Sequence, residues 1–142
     1  MNELKLPVSI GEGLDKLTIL DIKLEKINDS RKNEVQKEFD ILNHELKNYK
    51  ENNIFFYNML KATNLGIWDM LDDIKNNSHD DHIKLKLYEI MWNENDIRFR
   101  IKDKINNLND SFLKEKKGYN KTKKIFKINN NFFEKIIIKI FK

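Results

Sequence analysis

Between Ser9 and Leu108 the apolar residues of this chain return every three or four positions and almost nowhere in strict alternation. That spacing is the period of one face of an α-helix, and it limits the possible folds more than any other feature of the sequence. Helix breakers are correspondingly scarce: the 142 residues include four Gly and one Pro, which disfavours a loop-rich or all-β architecture. The fold expected is all-α, an antiparallel helical bundle of about four long helices in which short polar breaks set consecutive helices side by side. A C-terminal amphipathic helix is expected to follow the bundle.

The segments can be bounded in turn. Ser9 and Glu12 have capping-box spacing, in which the hydroxyl accepts from an orphan backbone N–H while the carboxylate reaches back, so the first helix should start there. Leu14, Leu17, Leu20 or Asp21, Leu24 and Ile27 follow at helical intervals, and Ile19 and Ile22 widen the apolar arc, as in a helix buried on more than one side. "NDS" at 28–30 offers a turn and the next cap. Val35, Phe39, Leu42, Leu46 and Tyr49 define a second helix, which Asn52 and Asn53 end. A third, from about 54 to 75, carries Phe56, Leu60, Ile67, Leu71 and Ile74 on one face. Gly66 within it costs about 1 kcal/mol relative to Ala, which points to close packing or a kink. After "NNSHDDH" a fourth helix runs from about Asp80 to Leu108, with Ile83, Leu87, Ile90 or Met91, Ile97, Ile101, Ile105 and Leu108 as its core face.

A length of 142 residues with 39% hydrophobic content suits one domain. The formal charge of +4 is uneven: from Asn120 onward there are seven Lys and one Glu, a net +6, which leaves −2 on residues 1–119. The boundary expected is therefore a helical bundle domain at 1–119 and a basic amphipathic extension at 120–142. The absence of cysteine excludes a disulfide framework and a thiolate metal site. "MNELKLPVSIGEG" has no unbroken apolar core of a secretory signal, and no run approaches the roughly 18 apolar residues of a membrane span. A cytoplasmic location is the expectation, peripheral to a membrane if the tail binds one.

Two polar stripes are the candidates for chemistry. Asn95, Arg98, Lys102 and Asn106 fall on one stripe of the fourth helix, and Glu12, Asp15, Lys16 and Lys23 fall on or beside a similar stripe of the first. Arg presents a planar fork of donors suited to carboxylate or phosphate, Lys a mobile point charge, and Asn a donor with an acceptor. Together they suit an anionic small molecule held between helices. Two structural readings stand beside that one: solvated faces laced with i,i+4 pairs such as Glu12 with Lys16, each worth about 0.2–0.5 kcal/mol, or a buried polar network that fixes helix register.

The runs "PVSIGEGLDKLTILDIK" (7–23), "NLGIWD" (64–69), "NDIRFRIKDKIN" (95–106) and "EKKGY" (115–119) resemble the successive motifs of a family of small helical bacterial and phage proteins of unknown function. That family is similar in a P-V-S-I-G-E-L-x-D-K-x-T-I-L-x-I-K opening and a later N-D-x-R-x-x-x-K-x-x-I-N segment. The resemblance implies that Glu12, Asp15, Lys16, Lys23, Asn95, Asp96, Arg98, Lys102, Asn106, Lys116 and Tyr119 form the ligand-binding set, and that the protein accompanies glycan synthesis. The chain departs from the pattern at Gly13, where the family has Leu or Ile, and at "KKGY" near the end.

An enzyme is not the first expectation. No nucleophile with a partner base can be picked out, and His44, His79 and His82 lie outside the family-like motifs. A helical pocket of Arg, Lys and Glu is nevertheless able to stabilise a compact dianion, so a small all-α enzyme acting on an anionic substrate is the third reading. "SHDDH" at 78–82 reads as a capping box, Ser78 with Asp81, rather than a metal site. Gly11 and Gly13 lack the preceding strand and the Lys-Ser/Thr of a phosphate loop, and no cofactor is implied. Trp68 and Trp92 read as core or cleft walls. In the tail, Phe132, Phe133, Ile136, Ile137, Ile140 and Phe141 make an apolar face with Lys135, Lys139 and Lys142 opposite, the pattern of a helix that lies on an anionic membrane or packs on a partner or on the bundle itself. Nucleic acid is the weaker partner, because the tail has no Arg and the body is acidic. The sequence thus points to a small binding or accessory protein with a polar interhelical site for an anionic small molecule. The alternative is a structural or adaptor protein that its C-terminal helix recruits to a membrane or protein partner.

Overall fold

The computed structural model describes residues 2–118, so the amphipathic helix expected over 120–142 lies outside the described residues. Four helices follow in order: α1 Ile10–Lys26, α2 Arg31–Asn52, α3 Ile54–Asn76 and α4 Asp81–Leu108, with no strand among the described residues.

Side-chain caps hold the starts of α1 and α4, whereas Asn53, which with Asn52 could cap α3, makes no side-chain bond to the start of that helix. Ser9 Oγ accepts from the Glu12 N–H at 3.1 Å and begins α1 as its spacing predicts. The Glu12 carboxylate does not reach back to close the box; it goes to Lys102, a stronger, charged partner. At α2 the cap Ser30 makes no side-chain bond, and Asp29 instead takes the Arg31 N–H at 3.0 Å together with the Arg31 guanidinium. At α4 the cap is Asp80, which accepts from the Ile83 N–H at 2.9 Å, so Ser78 and Asp81 do not form the expected box. A charged acceptor at a helix N-terminus is favoured over a hydroxyl two residues earlier because it also meets the positive end of the helix dipole.

Helix α1 is the centre of the bundle and packs on α2, α3 and α4. Its wide apolar arc explains this: Leu14, Leu17, Leu20 and Ile22 are all buried. Each such side chain contributes about 1.5–3 kcal/mol relative to exposure. Tyr57, Met59 and Leu60 of α3 and Ile101 and Ile105 of α4 complete the core, while α2 has no fully buried residue and leans on it through Phe39, Leu42 and Leu46. The Gly11 N–H bonds Asn106 Oδ1 near the far end of α4, and Arg98 bonds Asp15, so α1 and α4 run antiparallel. At the same end of α4, Asn53 and Asn109 exchange amide hydrogen bonds of 3.1 and 2.9 Å and fasten the start of α3 to the end of α4.

Close approach of α1 to α4 requires Gly11: a Cβ there would lie 2.7 Å from the Lys102 carbonyl oxygen. Gly66 also marks a close approach, with a Cβ meeting the Glu94 carboxylate at 2.8 Å.

Part of the expected core face of α4 is not buried. Ile83 and Leu108 are exposed, as is Leu71 of α3, and of the alternatives Ile90 or Met91 it is Met91 that is buried. For Ile83 and Leu71 the cause is unequal helix length, while Leu108 is the last residue of α4. With 17 residues, α1 spans about 26 Å, whereas the 28 residues of α4 span about 42 Å. The first turns of α4 and the last turns of α3 therefore extend past the end of α1 and have only each other to pack on.

Candidate functional site: an aromatic cleft beside an ion-pair network

The two polar stripes face each other across the α1–α4 interface. Asp15, only 1% exposed, accepts from Arg98 Nε at 2.9 and 3.1 Å and from Arg98 Nη2. The same carboxylate accepts from Asn64 Nδ2 at 2.8 Å, and Asn64 also donates to Thr18 Oγ1 at 2.8 Å. Arg98 Nη1 reaches Asn95 Oδ1 at 3.3 Å. One turn along, the buried Lys102 ammonium sits 3.1 Å from Glu12 and 2.9 Å from Glu115. At the end of the row, Asn106 holds the Gly11 N–H at 2.7 Å and Ser111 Oγ holds the Ile10 N–H at 3.1 Å, so two orphan N–H groups of the α1 terminus are satisfied from α4 and the segment after it.

The electrostatics are those of neutralised pairs. The Asp15 hydrogen bond raises the Arg98 pKa against the cost of burial. Burial by itself pulls Lys102 down, but Glu115, Asp15 and Glu12 more than offset it and the net shift is upward. The hydrogen bond from Lys102 holds the Glu115 carboxyl below its ordinary range. Both cations stay charged at neutral pH, and each is already faced by carboxylate.

Of the residues that the sequence nominated, the structure gathers Glu12, Asp15, Asn95, Arg98, Lys102 and Asn106 into this one row. Lys16 does not join them: it turns to Glu38 of α2 at 2.7 Å, with both side chains largely exposed. Lys23 lies half-buried in the last turn of α1. Asp96 pairs with Arg100 one turn on, at 3.2 Å, and Lys116 is exposed. Tyr119 lies outside the described residues. In the 78–82 stretch His79 bonds Asp73 at 3.0 Å, a contact that lowers the Asp73 pKa.

Beyond Arg98 the interface opens into a cleft of about 470 Å³ between α1, α3 and α4. Ile19 and Ile22 form its floor-side wall on α1, Ile67, Trp68 and Leu71 line it from α3, and Tyr88, Met91 and Trp92 line it from α4. Asn64, Asn95 and Arg98 make its polar end. The cleft lies beside the second half of α1, at Ile19 and Ile22, where the facing sides of α3 and α4 do not close on it. Both tryptophans of the chain stand in it, and Trp92 is 63% exposed although aromatic side chains of that size usually seek burial.

Asn64, Glu115 and Ser111 were not among the residues that the sequence stripes nominated. Asn64 had a visible signal, a polar side chain set within the apolar run "YNMLKATNLGIW". Glu115 opens the quoted run "EKKGY" but was not singled out in it, and Ser111 had no signal, since both lie in an irregular segment where no periodicity assigns a face. Comparison with family models, with curated proteins and with solved structures gives no match.

Proposed function

We propose that the chain is a small non-enzymatic binding or accessory protein whose ligand enters the cleft between α1, α3 and α4. The ligand lays an apolar body or ring face against Trp68 and Trp92 and turns a polar or anionic head towards Arg98 and Asn95. The single observation that carries this reading is the coexistence of an open, mostly apolar cleft with a cation anchored at its end. Sites for small molecules have this make-up, apolar walls with a few fixed polar groups.

The state of Arg98 narrows the head group. Of five guanidinium N–H groups, three are used by Asp15 and Asn95, which leaves two for a ligand. Because Asp15 compensates the charge, a head group gains directional hydrogen bonds more than net Coulomb attraction. A bare dianion must displace Asp15 or Glu12 to gain more. A sugar ring that carries hydroxyls and one acidic group meets both ends of the cleft, consistent with the link to glycan synthesis that the sequence resemblance implies.

The tryptophans make the test direct, because intrinsic fluorescence of the full chain reports only the cleft. Titration with nucleotide sugars, sugar phosphates and small dicarboxylates should give one saturable change in the wild type. Asn95→Ala should weaken it, with circular dichroism confirming that the helices are intact. A flat response to every class in the panel, with the protein folded, refutes the reading.

A further inference from the structure

We infer that the ring entering the cleft is a neutral, planar heterocycle with a lactam edge, an N–H beside a C=O as in uracil or guanine. It stacks on Trp68 and Trp92 and turns that edge to Asn64, Asn95 and Arg98. This rests on the binding reading above and names the ligand class for it.

The hydrogen-bonding groups at the polar end carry the argument. Asn64 is 7% exposed, and its amide N–H groups go to Asp15 Oδ1 and Thr18 Oγ1 at 2.8 Å each. Thr18 Oγ1 gives its one hydrogen to the Asp15 carbonyl at 2.7 Å, so it can only accept from Asn64, which fixes the amide orientation. What Asn64 has left for the cleft it lines is its carbonyl oxygen, to which no described residue donates. Asn95 is the reverse: its oxygen accepts from Arg98 Nη1 at 3.3 Å, and its N–H groups remain. Arg98 adds the two N–H groups that Asp15 and Asn95 do not take. The cleft therefore ends in one acceptor beside donors from two residues. A carboxylate or phosphate that is fully ionised has only acceptors and sets an oxygen against the Asn64 carbonyl. A lactam edge supplies the N–H for Asn64 and the C=O for Arg98 or Asn95.

Charge and shape agree with this. Among the described residues Arg98 is the one charged side chain that lines the cleft, and the buried Asp15 carboxylate neutralises it, so nothing there selects for a net charge. Asn64 and Trp68 on α3 are four residues apart, and Trp92 and Asn95 on α4 are three, about one helical turn in each case. On both walls an amide thus stands one turn from an indole, and a ring laid over the indoles brings one edge to the amides. Trp92 is 63% exposed, and an open aromatic face is a stacking platform for a planar base. Apart from the Tyr88 hydroxyl the remaining walls are apolar, so a sugar ring in the same place would bury hydroxyls without partners. A glycosylated heterocycle avoids that by leaving its sugar at the open mouth.

Calorimetric titration of the full-length chain with nucleosides, which carry no phosphate, tests the edge directly. Uridine should bind, and ribothymidine, methylated away from the lactam nitrogen, should bind at least as well. Uridine methylated on the lactam nitrogen should bind about tenfold more weakly or worse, because the Asn64 oxygen then loses its donor. Guanosine and its lactam-methylated form repeat the comparison for a purine and decide which ring the cleft takes. Trp92→Ala, at an exposed position, should weaken the favoured nucleoside about tenfold by loss of stacking, with the helices intact by circular dichroism. Equal binding of parent and lactam-methylated nucleosides overturns the inference, as does an unchanged affinity in Trp92→Ala. Binding of a sugar phosphate with no binding of either nucleoside also overturns it, but leaves the cleft reading in place. Silence towards nucleosides, nucleotide sugars, sugar phosphates and dicarboxylates alike removes both.

Discussion

Removing Arg98 tests whether the α1–α4 row is a structural network as well as the edge of a site. In Arg98→Ala the Asp15 carboxylate, 1% exposed, loses its directly bonded cation and keeps one N–H from Asn64 and the more distant charge of Lys102. Breaking a buried ion pair from one side costs about 3–5 kcal/mol because the remaining charge is left uncompensated. Arg98 is itself 26% exposed, so water can reach the vacated space, and the lower end, about 3 kcal/mol, applies. For a chain of this length that corresponds to a fall in Tm of roughly 10 °C. The diagnostic result is a change of sign. Asp15→Asn should destabilise the wild type, where it deletes the charge that Arg98 needs. It should stabilise Arg98→Ala by about 1–2 kcal/mol, because it removes the orphaned charge and keeps an acceptor for Asn64. Chemical denaturation of the four proteins, with equal m-values confirming a common unfolding reaction, gives the full cycle. A loss under about 1 kcal/mol for Arg98→Ala, the median worth of a surface pair, or an Asp15→Asn effect of the same sign in both backgrounds, would falsify the network.

The glycines and the clasp after α4 supply two further predictions. Gly11→Ala should cost about 1–3 kcal/mol by overpacking, since its Cβ meets the unyielding Lys102 backbone. Gly66→Ala should be neutral or stabilising by up to about 1 kcal/mol, since it meets only the end of a Glu94 side chain, which can move. Thermal melts that rank the two the other way contradict the close-approach argument. For the clasp, Lys102 holds Glu115 below the ordinary Glu range, so its contribution is present at neutral pH and disappears as pH falls below the ordinary value and through the lower folded one. Lys102 is shifted upward, so its own contribution is present below the ordinary Lys value and is lost only as pH rises through the higher folded one. The protection factor of the Ser111 amide, whose N–H bonds the Asn106 carbonyl, with the intrinsic exchange rate at each pH divided out, should therefore fall at acid pH, and in Glu115→Gln it should be low at neutral pH too; protection that ignores both refutes the ion-pair clasp.

How much of this was legible in the sequence depends on where periodicity operates. Ser9, Leu14, Leu17, Ile101 and Ile105 could be placed because a 3.6-residue period and a capping hydroxyl are local signals. The pairing of Asp15 with Arg98 was half legible: each stripe could be drawn, but which stripe faces which, and in what register, is set by tertiary packing at Gly11 and Asn106. Lys16 shows the limit. It is one residue from Asp15 and so points about 100° away around the helix, which is enough to give it to α2 instead of α4. Ile83 and Leu71 failed for a different reason. Their spacing is as regular as that of Ile101, yet burial needs a neighbouring helix, and no local pattern states that α1 is shorter than α3 and α4.

The cleft links the fold to the proposed function: beside Ile19 and Ile22 of α1, the facing sides of α3 and α4 leave an apolar gap between Trp68 and Trp92. The buried Asp15–Arg98 pair lies near the head of this gap and fastens the end of α1 that adjoins α4. An apolar gap of this kind in a charged, water-exposed molecule costs stability at about 25 cal/mol for every Å² left uncovered, so a ligand that covers it stabilises the folded state. It follows that a variant that lacks an exposed apolar wall of the gap should bind less without losing stability. Trp92→Lys removes one exposed apolar wall and places a cation at the mouth. It should leave the melting temperature unchanged or higher while abolishing the ligand-dependent fluorescence change of Trp68. A variant that loses stability and binding together would mean that Trp92 belongs to the core, and the cleft would then be a packing defect without a ligand.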